Sequence, residues 1–175
     1  MAKPRIRVLV VDDYEPFRRF VTSTFEQQPE LQTIGQASDG LEAVRKAKEL
    51  EPDLIVLDIG LPTLNGIETA RRIREHSPKS KVLFFSENRS WDIVEEALST
   101  DAVGYVAKSD AARQLLAAAK AVLQGKHFVS SSLSAHHINH DGHVHTCNHG
   151  SRENVAPLPQ HKRRDCRSSR GGVLF

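Results

Sequence analysis

The sequence predicts an α/β fold, an open doubly wound parallel sheet of five strands carrying five helices. Three observations predict it. Short apolar, β-branched runs alternate with amphipathic helical stripes five times before residue 125. The runs are apolar almost throughout rather than at every second residue, as in a strand covered on both faces. Polar residues with chemical potential stand where the runs end, which is the edge at which open α/β sheets hold their sites.

Ile6-Arg7-Val8-Leu9-Val10-Val11 is the first such run, and it closes on Asp12 and Asp13. Pro16 suits the first turn of a helix, and Phe17, Phe20, Val21, Thr24 and Phe25 then follow the stripe of a helix with one buried side. Residues 33–38 read as the second strand and residues 40–50 as the second helix, burying Leu41, Val44, Ala47 and Leu50. Leu54-Ile55-Val56-Leu57 is a short third strand ending at Asp58, before a helix over residues 66–75 with Ile67, Ala70 and Ile73 inward. Residues 82–85 form the fourth strand, ending at Ser86, and residues 91–99 the fourth helix. Residues 102–106 lead to Lys108, and a fifth helix over residues 110–123 carries Leu115, Leu116, Ala119, Val122 and Leu123. Five units are too few to close a (β/α)₈ barrel, and no fixed motif recurs as in a repeat array. Right-handed crossovers then place helices on both faces of one sheet.

The chain's 175 residues suit one domain with an appendage rather than two average domains. Residues 1–128 carry 18 Lys and Arg against 19 Asp and Glu, whereas residues 129–175 carry 6 against 3 and hold seven of the nine histidines. That shift places a boundary at residue 128. No apolar run approaches the ~18 residues of a membrane span, and Met1-Ala2-Lys3-Pro4-Arg5 leads into the first strand without a cleavage pattern, so a cytoplasmic protein away from membranes is expected. The two cysteines, Cys147 and Cys166, are late and too few for a disulfide framework.

Singly, an Asp after a strand is an ordinary turn or cap, and a lone Ser or Lys an ordinary surface residue. Asp12, Asp13, Asp58, Ser86 and Lys108 together, on one edge of one sheet, point to a site. Three carboxylates converging on a pocket repel unless a cation joins them. An all-oxygen set with few protein ligands selects a hard ion such as Mg²⁺, which keeps several waters and accepts a phosphate oxygen. A carboxylate can be the nucleophile of phosphoryl transfer, with positive charge and donors spread over the phosphoryl oxygens. Asp58 then attacks, while Lys108 and Ser86 take two of those oxygens. Residues 1–128 contain no Gly-rich phosphate loop, Ser-His-Asp set or zinc motif.

Val10-Val11-Asp12-Asp13, Pro52 to Pro62 around Asp58, Asn65-Gly66-Ile67-Glu68, Val82 to Ser86 and Gly104 to Lys108 follow one another in a known order. Over residues 5–128 the chain resembles the receiver domain of two-component response regulators. Gly60-Leu61-Pro62, and Leu116 to Gly125 followed by Phe128-Val129-Ser130, are similar to the nitrate-regulator (NarL/FixJ) subgroup, whose members continue into a helix-turn-helix domain. The resemblance implies a flavodoxin-like sheet of order 2-1-3-4-5 and Asp58 as phosphoacceptor. It implies Mg²⁺ or Mn²⁺ held directly by Asp13, Asp58 and the Gly60 carbonyl, with Asp12 holding a metal-bound water. Ser86 and Lys108 bind the phosphoryl group, and Tyr105 is the aromatic switch that reports on Ser86. A histidine kinase is the implied phosphodonor and a homodimer a further implied assembly; the only reaction catalysed is the protein's own phosphorylation and dephosphorylation. Ser109 follows Lys108 where many receivers have proline, so a trans bond is expected there. Glu87 adds an anion at the pocket mouth.

Residues 129–175 lack a sustained helical or alternating period, and a disordered tail is expected. His136, His137, His140, His143, His145, Cys147 and His149 suit opportunistic Zn²⁺, Ni²⁺ or Cu²⁺ binding rather than a dedicated site. The basic run Lys162-Arg163-Arg164 attracts phosphate weakly, and without an amphipathic recognition helix no specific DNA binding is expected of this chain. The alternative is a transcription factor of the nitrate-regulator type whose output domain is truncated, altered or folds only on DNA.

Overall fold

Strands of consecutive apolar residues send alternate side chains to opposite faces. In the computed structural model, which describes residues 4–133, this alternation feeds two separate cores. The elements run β1 (Ile6–Val11), α1 (Glu15–Glu26), β2 (Leu31–Ala37), α2 (Gly40–Leu50), β3 (Leu54–Leu57), α3 (Gly66–His76), β4 (Lys81–Ser86), α4 (Trp91–Leu98), β5 (Gly104–Ala107), α5 (Ala111–Leu123) and β6 (Phe128–Val129), with a 3₁₀ turn at Lys108–Asp110. Val8, Val10, Leu54, Val56, Leu83, Phe85 and Val106 meet Val21 and Phe25 of α1 and Leu115, Ala118, Ala119 and Val122 of α5. Leu9, Val11, Ile55, Leu57, Phe84 and Tyr105 meet Ala43, Ala47, Ile67, Ala70, Ile73, Val94 and Ala97 on the other face, from α2, α3 and α4.

The sheet order is β2-β1-β3-β4-β5-β6, and every pairing is parallel. The doubly wound architecture and the order of the first five strands agree with the sequence. The count of five strands does not, because Phe128 and Val129 pair with Gly104 and Tyr105 as a sixth. Two residues are too short to show a period.

Packing continues past residue 128, where composition alone puts the boundary. The Ser130 amide donates to the Tyr105 carbonyl at 3.0 Å, and its hydroxyl accepts from the Ala107 amide at 3.1 Å. Leu133, 1% exposed, completes the core on the α2–α4 side. The disorder and metal binding expected further along the tail concern residues 134–175, outside the described residues.

Helix α2 corrects a second expectation. Leu41 is 48% exposed, and the buried stripe is Gly40, Ala43 and Ala47. The stripe 41, 44, 47, 50 steps by three each time, which turns it about 60° per step around a helix of 3.6 residues per turn. Small side chains on the true stripe let α2 approach its neighbours. Phe20 is likewise 37% exposed, leaving Val21 and Phe25 as the seam of α1. Among the described residues no helix is long and apolar enough to cross a membrane, and no peptide bond is cis, that before Ser109 included.

Leu133 is therefore a core residue and not the start of a tail. Leu133→Ala is expected to lower the unfolding free energy by about 2–5 kcal/mol, the range for a buried leucine, in urea melts; an unchanged midpoint would show that the segment after β6 contributes nothing to the fold.

Candidate functional site

The parallel sheet ends all its strands at one edge, so the residues following β1, β3, β4 and β5 meet there. Asp12 is 1% and Asp58 6% exposed, Ser86 is buried, and Asp13 stands open to solvent. An open cleft of about 750 Å³ lies between Asp13, Phe17, Asp58, Gly60, Ser86, Glu87, Asn88 and Lys108.

Backbone contacts hold Asp58 in place. Its amide donates to the Val11 carbonyl at 2.9 Å, and the Gly66 amide at the start of α3 donates to the Ile59 carbonyl at 2.9 Å. Gly66 has to be glycine, since a Cβ there would stand 2.0 Å from the Asp58 carbonyl oxygen. Asn65 caps the helix by accepting from the Glu68 amide at 2.9 Å. The Ile59 amide donates to Asp58 Oδ1 at 2.7 Å, and Lys108 Nζ donates to Asp58 Oδ2 at 2.9 Å.

The Lys108 ammonium also lies 2.7 Å from Asp12 Oδ2, in a side chain only 5% exposed. The ammonium is thus the charge that compensates this fully buried carboxylate oxygen. Asp12 Oδ1 accepts from the Tyr14 amide at 2.9 Å. Burial pushes the Asp12 carboxyl above its ordinary pKa, with Asp58 adding to the rise and the Lys108 and Tyr14 hydrogen bonds opposing it. Burial by itself would lower the Lys108 pKa, but the carboxylates of Asp12 and Asp58 together outweigh it and hold the ammonium above its ordinary value.

Oxygens of Asp12, Asp13 and Asp58 lie within 4.8 Å of one another. Three carboxylates against one ammonium leave excess negative charge, two of them on buried side chains. This all-oxygen set fits a hard divalent cation such as Mg²⁺ or Mn²⁺.

Tyr105, expected as a switch, is fully buried. Its hydroxyl donates to the Asn88 carbonyl at 2.7 Å, while the Asn88 amide donates to Ser86 Oγ at 3.3 Å. Asn88 thus joins the two hydroxyls through its backbone. The sequence reading missed it, and nothing in its spacing marks a residue that works through main-chain atoms. Arg18 was missed too: it donates to the Asp12 carbonyl at 2.6 Å and the Asp13 carbonyl at 3.1 Å, fastening the loop that carries both acids.

The response regulator receiver domain profile matches residues 8–120. The chain belongs to this family. Among relatives of this receiver, Transcriptional regulatory protein LnrK of Bacillus subtilis (strain 168) is 34% identical over 134 residues, which are 77% of this chain and 61% of LnrK. The nitrate/nitrite response regulator protein NarL of Escherichia coli (strain K12) is 32% identical over 127 residues, 73% of this chain and 59% of NarL. The chain therefore spans about three-fifths of the curated relatives it matches. The crystal structure of a LuxR-family two-component response regulator from Aurantimonas sp. SI85-9A1 superposes with a TM-score of 0.72 at 30% identity, over 75% of this chain and 94% of that one. The response regulator domain of Thermotoga maritima CheB does so with a TM-score of 0.64 at 36% identity, over 69% of this chain and 97% of that one.

Burial, with some help from the Asp58 charge and against the pull of the Ser86 hydroxyl, pushes the Tyr105 phenol up to about 12. A raised folded pKa means that stability is fully present below the unfolded value of about 10 and is lost as pH climbs through the folded one. Between pH 9 and 12 the wild type is expected to lose about 2 kcal/mol more stability than Tyr105→Phe, read from urea melts across that range; parallel pH profiles would mean the phenol is not held in this environment.

Proposed function

We propose that this receiver is the phosphoacceptor switch of a two-component phosphorelay, taking a phosphoryl group from a histidine kinase onto Asp58. The observation that carries the proposal is Lys108 Nζ at 2.9 Å from Asp58 Oδ2, beside an acidic cluster that fits a divalent cation. A surface aspartate has neither neighbour. A carboxylate oxygen of Asp58 forms the new bond to phosphorus as the P–N bond of a phosphohistidine breaks, and the electron pair leaves with the imidazole nitrogen.

Lys108 is already in the pocket and nearly dry, so its charge acts on a phosphoryl oxygen with little screening. The Ser86 hydroxyl is placed to donate to another. Asp13, Asp58 and the Gly60 carbonyl would hold Mg²⁺ or Mn²⁺, with Asp12 holding one of its waters. When bound, the ion neutralises a phosphoryl oxygen and the mutual repulsion of the carboxylates. The chemistry ends on the protein's own side chain: water later attacks the acyl phosphate, releasing inorganic phosphate and restoring Asp58. The chain is therefore a signalling switch rather than an enzyme acting on other molecules.

The path outward begins at Ser86. A shift of its hydroxyl toward a phosphoryl oxygen changes what the Asn88 amide meets, and Asn88 also receives the Tyr105 hydroxyl. The bistable element is then the β4–α4 loop with β5. A partner protein reading that face is the proposed output, and self-association is one form it takes.

Acetyl phosphate with Mg²⁺ is expected to add one phosphoryl group, located by mass spectrometry at Asp58. Asp58→Asn keeps the shape but lacks the nucleophilic oxygen anion, and should take up no label while retaining its circular dichroism. Stoichiometric labelling of that variant at another residue would sink the assignment. In thermal melts Mg²⁺ should raise the wild-type midpoint more than that of Asp13→Asn, since ligand linkage stabilises only the protein that binds it; equal shifts would remove the metal site from the proposal.

A further inference from the structure

An ammonium has three N–H bonds, and two anionic oxygens surround Lys108 Nζ, at 2.7 Å and 2.9 Å. A third neighbour is aromatic. Nζ stands 4.2 Å from the centroid of the Phe17 ring, with the Phe85 ring further off at 5.6 Å. The Phe17 ring is fixed from two sides by edge-to-face contacts, with Phe85 at 5.8 Å and 90° and with Tyr14 at 5.5 Å and 68°. Its position is set by the first turn of α1, where the Phe17 amide donates to the Tyr14 carbonyl at 3.1 Å. The residue also borders the cleft and is half-buried.

We infer that Phe17 is a positioning residue for Lys108, its ring face holding the ammonium at the cleft against water and against its own rotamer freedom. The inference rests on the phosphoacceptor reading of the site. The ring's negative face attracts the cation, and more strongly once the cation has lost its hydration. Lysine hangs on four rotatable carbons and has no preset geometry, so a site that uses it as a point charge must confine it from outside. The carboxylates attract it without choosing which side of the pocket it faces; the ring supplies that choice. When the Asp58 oxygen facing Lys108 changes its charge on phosphorylation, the ring contact stays, and the ammonium keeps its place for the phosphoryl oxygens.

The ordinary alternative is that Phe17 only fills space between α1 and β4. Leucine would fill much of that space without a ring, and tyrosine would keep the ring. The experiment uses the full chain as wild type, Phe17→Leu and Phe17→Tyr, with acetyl phosphate and Mg²⁺ as the probe. Lysine-labelled NMR reads the Lys108 side chain, whose εCH₂ protons should be shifted upfield by the ring current in wild type and Phe17→Tyr and should move to ordinary lysine positions in Phe17→Leu. Labelling of Asp58 should slow roughly 2- to 30-fold in Phe17→Leu, the span that cation–π energies translate into, and recover to about the wild-type rate in Phe17→Tyr. Unmoved Lys108 signals, wild-type labelling by Phe17→Leu, or an equal deficit in both variants overturns the inference. If Phe17→Leu does not fold, Phe17→Met takes its place under the same criteria. Failure of the wild type to label at Asp58 overturns the phosphoacceptor reading and with it this role for Phe17.

Discussion

The burial of one ammonium among carboxylates is the constraint around which the carboxyl edge of the sheet is organised. Lys108 contacts Asp12 and Asp58 with its side chain 5% exposed, so the ammonium cannot leave without stranding two buried acids. Breaking a buried pair by removing one partner costs about 3–5 kcal/mol, although forming it adds little net stability. The arrangement therefore specifies a geometry more than it strengthens the fold. With Asp13 included the cluster remains short of positive charge, the charge that a divalent cation would supply.

Backbone groups, one guanidinium and an aromatic ring aim these charges. Asp58 is gripped by the Val11 carbonyl, by the Ile59 amide and by the close passage of α3 that Gly66 permits. The carbonyls of Asp12 and Asp13 are held by Arg18 from the first helix, and the same helix sends Phe17 over the ammonium. On the far side of the cleft, one residue, Asn88, presents its amide to Ser86 and its carbonyl to Tyr105. Rigid main-chain contacts fix Asp58, while the hydroxyl side of the cleft depends on a loop.

Most of the fold was legible because its signal is periodic. Runs such as Leu54-Ile55-Val56-Leu57 state by composition that both faces are covered, and the acids at their ends follow from the direction of a parallel sheet. Asp12, Asp13, Asp58, Ser86 and Lys108 could be grouped from sequence because each ends a strand or follows its last residue by one or two positions. Contacts made through main-chain atoms left no trace, so Asn88 was passed over. Phe17 was seen only as part of a helical stripe, since periodicity cannot say that a ring meets a cation instead of a methyl group. Leu41 was misplaced because hydrophobicity outweighed angle, and β6 was overlooked because two residues have no period. The composition boundary at residue 128 marks where the charge changes, whereas packing runs on through Ser130 and Leu133.

The short sixth strand also settles how the sheet stops. Left bare, β5 would present four residues of unpaired amides and carbonyls, a template on which a strand from another molecule could grow. Phe128 and Val129 occupy half of that rim, and Ser130 closes what remains by engaging the Tyr105 carbonyl and the Ala107 amide. The new rim is two residues long, too brief to seed further pairing. Guarding against intermolecular strand addition on this flank thus falls to the segment that composition alone would assign to the tail.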